Sequence, residues 1–211
     1  MHEAFETQTI TNLLKEGGVV LDIGANIGYH TLQFARKVGP KGHVYAFEPD
    51  VENFKLLCKN VKANGYTNVT ALRKAVSNHT GKIKLYHSET NRGDHRVFQS
   101  EEEVRRSSEI DSIRLSDYFA DLSVSIDLIK MDIQGAEYQA LLGMRELLIQ
   151  NPSATLVMEF WPWGLQKSGA TPHACLDVLA KLGLEVFEIS EENQSITKVN
   201  PLHLRICPAR S

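Results

Sequence analysis

The fold is decided by the stretch Val19-Val20-Leu21-Asp22-Ile23-Gly24-Ala25-Asn26-Ile27-Gly28. Its first half is a short apolar run between glycines, which predicts a buried strand of a parallel sheet. Gly24 then allows a tight turn, and apolar residues at helical spacing follow from Ile27 to Lys37. A strand, a glycine turn and a helix in this order are typical of the first unit of a nucleotide-binding βαβ fold.

The loop after this strand differs from the dinucleotide fingerprint G-x-G-x-x-G at the second glycine. That glycine lets a pyrophosphate touch the backbone, whereas this chain has Asn26 there. The loop therefore favours a nucleoside cofactor without a pyrophosphate. Asn26 can hydrogen-bond a smaller polar group, Asp22 can face a cationic amine, and the N-terminus of the next helix suits a carboxylate.

A second predicted strand, His43–Phe47, is followed by an acid. Glu48 comes 20 residues after Gly28, close to the interval at which an acid binds both ribose hydroxyls in nucleotide-binding folds. Pro49 ends the strand and lets the next helix begin. A helix-capping acid is the alternative, but the register of the two motifs favours ribose binding.

Three stretches in the same order resemble the FkbM family of S-adenosylmethionine-dependent methyltransferases. They are Leu21–Gly28, Tyr45–Asp50 and Asp127–Glu137, and the resemblance covers about residues 5 to 189. The family usually has glutamate at the position of Gln134. The resemblance implies S-adenosylmethionine as the cofactor and a hydroxyl group of a small molecule or glycan as the methyl acceptor.

The order of the predicted elements indicates an α/β fold with a doubly wound, mostly parallel, seven-stranded sheet of the Rossmann-like methyltransferase type. The predicted strands are Val19–Ile23, His43–Phe47, Val69–Val76, Ile126–Asp132, Ala154–Phe160 and, as an antiparallel edge, Glu185–Ile189 and Leu202–Cys207. We expect residues 1–211 to form one domain. A small β insertion at about Gly81 to Leu115, between the third and fourth core strands, is the place to look for acceptor contacts.

Ligands of open α/β sheets bind at the carboxyl ends of the strands, where the strand order reverses. Four of the predicted strands end there in acids, and this arrangement suits a cofactor with a sulfonium, an ammonium and a ribose diol. Ala75 should lie near the adenine ring. The predicted cofactor-binding residues are Asp22, Gly24, Ala25, Asn26, Gly28, Glu48, Pro49, Ala75 and Asp132.

Two acids at strand ends are the candidate catalytic residues. A hydroxyl acceptor must lose a proton, so a nearby base helps; we predict Asp132 as that base, with Glu159 as the second candidate. A carboxylate with an ordinary pKa of ~3.9 is a weak base for an alcohol, so burial would have to raise its pKa. The two acids could instead hold a divalent cation, but no third ligand is evident and we predict no metal.

Two tryptophans and two histidines could each have either a functional or a structural role. Trp161 and Trp163 could form an apolar, cation-stabilising wall beside the methyl donor, or could simply pack the end of the sheet. His95 in the insertion and His173 in a late helix are further candidate bases, although a lone histidine is more often structural.

Composition narrows the classes of function. The hydrophobic content of 42% and charged content of 23% are ordinary for a soluble protein. The net charge of −3 disfavours general binding to nucleic acid or anionic membranes. Three widely spaced cysteines predict reduced thiols rather than disulfides or zinc ligands. Since there is no signal-peptide pattern and no membrane-spanning apolar run, we expect a cytoplasmic protein.

Two other functions are alternatives to methyl transfer. A nicotinamide-dependent oxidoreductase is disfavoured by Asn26. A protein that binds S-adenosylmethionine without turnover is kept open by Gln134. The motifs typical of amino-group methylation on bases and of cytosine-carbon methylation are both absent from the sequence, and the oligomeric state is not predicted.

Overall fold

The computed structural model describes residues 4–88, 93–99 and 105–199. Its helices are α1 (Ala4–Leu13), α2 (Tyr29–Val38), α3 (Val51–Ala63), α4 (Leu115–Tyr118), α5 (Glu137–Gly143), α6 (Arg145–Gln150), α7 (Pro162–Lys167) and α8 (Pro172–Lys181). Its strands are β1 (Val19–Ile23), β2 (His43–Phe47), β3 (Val69–Leu72), β4 (Ala75–Val76), β5 (Gly81–Tyr86), β6 (Ser107–Ile113), β7 (Leu128–Met131), β8 (Thr155–Met158), β9 (Val186–Ser190) and β10 (Ser195–Val199).

Five parallel strands form the central sheet, in the order β3-β2-β1-β7-β8. The chain moves outward from β1 to β3, and later returns to the other side of β1 with β7. The strand order therefore reverses between β1 and β7, which opens a crevice at their carboxyl ends. This topology confirms the predicted α/β class and the doubly wound, mostly parallel sheet.

Both faces of the central sheet are covered by apolar side chains. Val20 packs on one face with Phe34 of α2, whereas Leu21 and Ile23 pack on the other face with Leu141 of α5. All four side chains are fully buried. Each such burial contributes roughly 1.5–3 kcal/mol, so the apolar run that predicted β1 also anchors the loop that follows it.

The third core strand is shorter than predicted. Instead of one strand over Val69–Val76, β3 ends at Leu72, and the amide of Lys74 turns back to the carbonyl of Leu72 at 3.0 Å. The pair Ala75–Val76 then leaves the central sheet and joins β6 in a separate three-stranded sheet, ordered β4-β6-β5. The predicted insertion is therefore built on a small sheet of its own.

The antiparallel edge also has a different partner from the one expected. β9 pairs with β10 through a turn in which Gln194 has a φ of 47°, and these two strands form a sheet separate from the central one. The strand predicted over Leu202–Cys207 lies outside the described residues. Within the described ranges, no helix combines the length and the apolar character needed to cross a bilayer.

Candidate active site

A cavity of about 420 Å³ lies at the carboxyl ends of β1, β2 and β7. Its volume is within the range of ligand pockets, roughly 300–1,000 Å³. The predicted cofactor residues on its wall are Gly24, Ala25, Asn26, Glu48, Pro49, Ala75 and Asp132. Asp22 and Gly28 lie behind this wall. The structure thus brings the first, second and fourth predicted strand ends together in one crevice.

Glu48 connects the two motifs that the sequence singled out. One carboxylate oxygen, Oε2, accepts the amide of Asn26 at 2.8 Å, and the other, Oε1, accepts the amide of Asp50 at 2.9 Å. Burial raises the pKa of Glu48 to about 7, although these hydrogen bonds oppose the rise. The side chain of Asn53 also hydrogen-bonds to Glu48, and the lone pair that remains on the carboxylate can accept a hydroxyl group.

The glycines of the first loop are required by close packing. Gly24 has a φ of 80°, and a Cβ there would lie 1.9 Å from the carbonyl oxygen of Asp132. Gly28 has a φ of 94°, and a Cβ there would lie 2.7 Å from Cδ1 of Leu57 on α3. Asn26 has a φ of 51°, a conformation that asparagine tolerates better than most residues. The loop therefore approaches both the end of β7 and α3 closely.

Asp22 lies under this loop and is fully buried. Its Oδ2 accepts the hydroxyl of Thr31 at 2.5 Å, and its Oδ1 has no hydrogen-bond partner among the described residues. Asp22 thus fixes the first turn of α2 in place. Its predicted contact with a cofactor amine stays a prediction.

The two candidate catalytic acids lie together, bridged by Gln134, which was not among the predicted site residues. The amide nitrogen of Gln134 donates to Oδ1 of Asp132 at 2.9 Å and to Oε2 of Glu159 at 3.0 Å. Asp132 and Gln134 line the cavity, whereas Glu159 is exposed beside it. The structure therefore presents a carboxylate pair at the edge of the cavity, with Asp132 on the cavity wall.

Loss of surrounding water and the negative charge of Asp132 raise the pKa of Glu159 to about 8, while Lys130 opposes the rise. Two carboxylates in such contact titrate as a pair. The pair can hold a proton near neutral pH and release it in mildly alkaline solution, which suits a base for a hydroxyl group.

Sequence reasoning also missed Lys130 and His30. Lys130 on β7 is only 6% exposed, lines the cavity, and places its Nζ 3.6 Å from Oδ2 of Asp132. A lysine inside the apolar strand Leu128–Met131 is a signal that could have found it, because a buried charge needs a partner. His30, in the first turn of α2, gave no such signal.

His30 also lines the cavity. Its Nδ1 is buried without a hydrogen-bond partner among the residues described. Burial, followed by the charge of Lys130, lowers the pKa of His30. A neutral imidazole with an unused ring nitrogen at a helix N-terminus can meet a polar group of a bound ligand.

The tryptophan pair packs on the insertion. Trp161 and Trp163 lie 5.0 Å apart between ring centroids, and the guanidinium of Arg96 lies 4.9 Å and 5.4 Å from their centroids. Asp94 holds that guanidinium with two hydrogen bonds, at 2.7 Å and 2.9 Å. Neither tryptophan lines the cavity. The cations that these rings stabilise are therefore Arg96, which ties the insertion to the segment after β8, and Lys167, whose Nζ lies 5.5 Å from the Trp163 centroid.

One cluster of the described residues could bring three ligand atoms to a metal ion: Asp50, His87 and His95, all within 4.8 Å. Oδ2 of Asp50 lies 3.4 Å from Nδ1 of His87 and 3.8 Å from Nε2 of His95. However, the amide of Ser88 donates to Nδ1 of His95 at 3.1 Å. Nε2 of His95 must then carry the ring proton, and this nitrogen cannot bind a metal.

The cluster instead holds the insertion against the turn after β2, where Asp50 caps α3. His95 lines the cavity on that side, whereas His173 is exposed on α8 and lies outside the cavity wall. The absence of a metal, and the roles of these histidines as bases, stay predictions.

Curated proteins with similar sequences are methyltransferases. The 2-O-methyltransferase NoeI of Sinorhizobium fredii is 26% identical over 193 residues, which cover 84% of this chain and 77% of NoeI. A protein-L-isoaspartate O-methyltransferase of Ignicoccus hospitalis is 44% identical over 59 residues, which are 28% of each chain. The match to the second relative therefore covers only a minor part of that enzyme.

A solved structure shares the fold, and a family model matches the sequence. The crystal structure of a methyltransferase FkbM from Methylobacillus flagellatus has a TM-score of 0.55 and 19% identity, over 81% of this chain and 38% of that one. This likeness shows the fold alone. The model of the methyltransferase FkbM domain matches residues 22–190, a range that includes both motifs of the crevice and the carboxylate pair. The chain therefore belongs to the FkbM family of methyltransferases.

Proposed function

We propose that this protein transfers the methyl group of S-adenosylmethionine to a hydroxyl group of a small molecule or glycan. The observation that carries the proposal is a single crevice that holds a ribose-type acid, Glu48, and a carboxylate pair at its end. Membership of the FkbM family supplies methyl transfer as the reaction. Oxygen as the acceptor atom is supported by the name of the relative NoeI, a 2-O-methyltransferase.

The cavity wall fits the parts of S-adenosylmethionine, which supplies an electrophilic methyl group on a sulfonium when it is bound. Glu48 would accept hydrogen bonds from the ribose hydroxyls. The small apolar pair Ala75 and Val76 would face the adenine. The first turn of α2, whose His30 lines the cavity, would meet the carboxylate, because a helix N-terminus favours negative charge.

In the reaction, the chain's own side chains align the acceptor and take up its proton. The pair of Asp132 and Glu159 accepts the hydroxyl proton as the oxygen is methylated. Lys130 lies on β7, the strand that Asp132 directly follows, and its charge holds the Asp132 carboxylate in place. Gly93, His95 and Val97 of the insertion line the same cavity, and they would help to exclude water from it.

Titration calorimetry tests the cofactor first. We expect S-adenosylmethionine and S-adenosylhomocysteine to bind with micromolar affinity and NAD not to bind, because Asn26 stands where a pyrophosphate would approach. Tight binding of NAD would contradict the proposed cofactor and would favour an oxidoreductase.

An acceptor screen tests the reaction itself. The protein is incubated with methyl-labelled S-adenosylmethionine and pools of hydroxylated small molecules and glycans, and transfer is read by mass spectrometry. A product labelled on oxygen supports the proposal. Cofactor binding without any labelled product would favour the alternative, a protein that binds the cofactor without turnover.

A further inference from the structure

The side chain of Gln134 occupies a specific place between the two acids. A primary amide has two N–H groups on one nitrogen, and the structure directs them to two different carboxylates, at 2.9 Å and 3.0 Å. The residue donates without adding charge. It can therefore hold Asp132 and Glu159 at short range, where two ionised carboxylates would otherwise repel each other.

The backbone around Gln134 is fixed in a conformation that aims the side chain at this position. Gln134 has a φ of 53° and Gly135 a φ of 97°. Oε1 of the fully buried Glu137 accepts the amides of Ile133 and Gly135 at 3.1 Å and 3.2 Å. A left-handed glutamine costs conformational energy and is kept where the surroundings determine it.

Close packing also holds this turn from the other side. A Cβ on Gly135 would lie 2.8 Å from the backbone of Gly164 and 2.8 Å from the ring of Phe98. The hydroxyl of Ser168 donates to the carbonyl of Gly135 at 2.7 Å. The amide of Gln134 is thus presented by a turn that is anchored to α5, α7 and the insertion.

The charges that face the pair come from several elements. Lys130 on β7 lies beside Asp132, and Glu137 at the start of α5 raises the pKa of Glu159 together with Asp132. His30 on α2 is close enough for Asp132 and Lys130 to influence its pKa. Among these charged and titratable neighbours, the Gln134 amide contributes neutral donors to both carboxylates.

We propose that Gln134 is a positioning residue, which holds Asp132 and Glu159 at the end of the cofactor crevice and sets the pH at which the pair takes up a proton. This inference rests on the proposed function for its catalytic meaning. The hydrogen bonds stabilise the ionised carboxylates, since hydrogen bonding to a charged form lowers the pKa of an acid. Removal of the amide should therefore raise the pH at which the pair loses its proton.

The test is a titration of the side-chain carboxyl carbons by NMR in the full-length, cofactor-free protein. Gln134→Glu replaces the two donors with a third negative charge. Gln134→Asn keeps an amide that tolerates a positive φ, but its side chain is too short to span both acids. Gln166→Glu is the control, because Gln166 is exposed on α7. The signals are assigned with Asp132→Asn and Glu159→Gln.

We expect the upper titration step of the pair to move up by at least about one pH unit in Gln134→Glu, the size of shift that a neighbouring like charge or a lost charge-assisted hydrogen bond produces. The shift in Gln134→Asn should be smaller but in the same direction, and Gln166→Glu should match the wild type. Calorimetry with S-adenosylhomocysteine verifies that each variant retains the cofactor crevice.

An upper step that stays at the wild-type pH in both folded Gln134 variants would overturn the inference. If Gln134→Glu does not fold, Gln134→Asn decides alone. The outcome is independent of the acceptor, because no turnover is measured. A shifted titration with no methylated product in any screen would leave the positioning role standing and would count against the proposed function only.

Discussion

Glu48 shows how a single buried residue can connect two loops and still be available to a ligand. Its carboxylate already accepts amides from Asn26 and Asp50, and burial raises its pKa to about 7. Glu48 therefore takes up a proton much nearer neutral pH than an ordinary carboxyl group does. A ribose diol is best accepted by the ionised form, so binding should draw the residue toward ionisation.

Replacement of Glu48 tests this role directly. Glu48→Gln removes one acceptor oxygen and the charge, and charge-assisted hydrogen bonds are worth roughly 1.5–3 kcal/mol. We expect the affinity for S-adenosylhomocysteine to fall by about tenfold or more. The affinity of the wild type should also weaken as the pH falls below about 7. Glu52→Gln, on the exposed face of α3, is the control; equal affinities of the two variants would exclude Glu48 from ribose binding.

The carboxylate pair makes a second prediction for single residues. Asp132→Asn and Glu159→Gln each keep size and shape but remove a proton acceptor, so turnover should fall by ~10²–10⁴. The affinity for the cofactor should change far less. The wild-type rate should rise with pH through about 8, where Glu159 loses its proton, and level off above it, and this rise should disappear in Glu159→Gln. A parallel loss of cofactor affinity in Asp132→Asn would instead identify Asp132 as a cofactor ligand.

At the scale of elements, the site depends on how closely the loop after β1 approaches the end of β7. Gly24 allows this approach, since a Cβ would meet the carbonyl oxygen of Asp132 at 1.9 Å. The backbone atoms of Asp132 belong to the carboxyl end of a central strand and cannot move aside independently. The position of Asp132 and the conformation of the loop after β1 are therefore set by the same contact.

Two alanine substitutions separate crowding from backbone conformation. Gly24 and Gly65 both have a positive φ, but nothing lies within 4 Å of a Cβ built on Gly65. Gly65→Ala should lower the free energy of unfolding by about 1 kcal/mol, the cost of a left-handed alanine. Gly24→Ala should cost several kcal/mol more, because the crowding is with backbone. Chemical denaturation measures both; equal losses would contradict the close approach.

At the scale of the whole molecule, the buried Glu48 makes stability depend on pH. Its pKa is about 7 in the folded protein and 4.5 as a free group, so the folded state binds more protons between these values. The contribution of Glu48 to the free energy of unfolding therefore decreases as the pH rises through that window, by roughly 3 kcal/mol at most. Above the window this contribution changes little.

Denaturant unfolding at several pH values checks this expectation. The free energy of unfolding of the wild type, relative to Glu48→Gln, should decrease between about pH 5 and pH 7 and then level off. Titratable groups that are present in both proteins contribute equally to the two free energies, so their contributions cancel in the difference. A difference that stays constant with pH would mean that Glu48 titrates in the folded protein as it does in the unfolded chain.

The doubly wound sheet could be predicted from the sequence because its signals are local. The glycine spacing and the apolar runs each involve a few consecutive residues, and Glu48 directly follows one of these runs. Seven of the predicted cofactor residues line the cavity. The departure of Ala75–Val76 from the central sheet could not be predicted, since Val69–Val76 is apolar enough for either sheet. Only the pairing with Ser112–Ile113, far along the chain, decides it.

The bridge through Gln134 was beyond sequence reasoning for a related reason. It joins Asp132 and Glu159 across the ends of two neighbouring strands, and its geometry depends on a left-handed backbone at Gln134. No short-range pattern specifies that conformation. It results from the buried Glu137, whose carboxylate closes the turn, and from the packing of Gly135 against Gly164.

The separate sheet of β4, β5 and β6 has a consequence for protein engineering. The insertion leaves and rejoins the scaffold at neighbouring positions, because Ala75–Val76 pairs with Ser112–Ile113. A segment with adjacent ends can be exchanged between related chains without rethreading the central sheet. Among the described contacts, a transplanted insertion would need to preserve those of His87 and His95 with Asp50, of Arg96 with the tryptophans and of Phe98 with Gly135. Under the proposed function, loop grafts within the family should change the acceptor and leave the donor site unchanged.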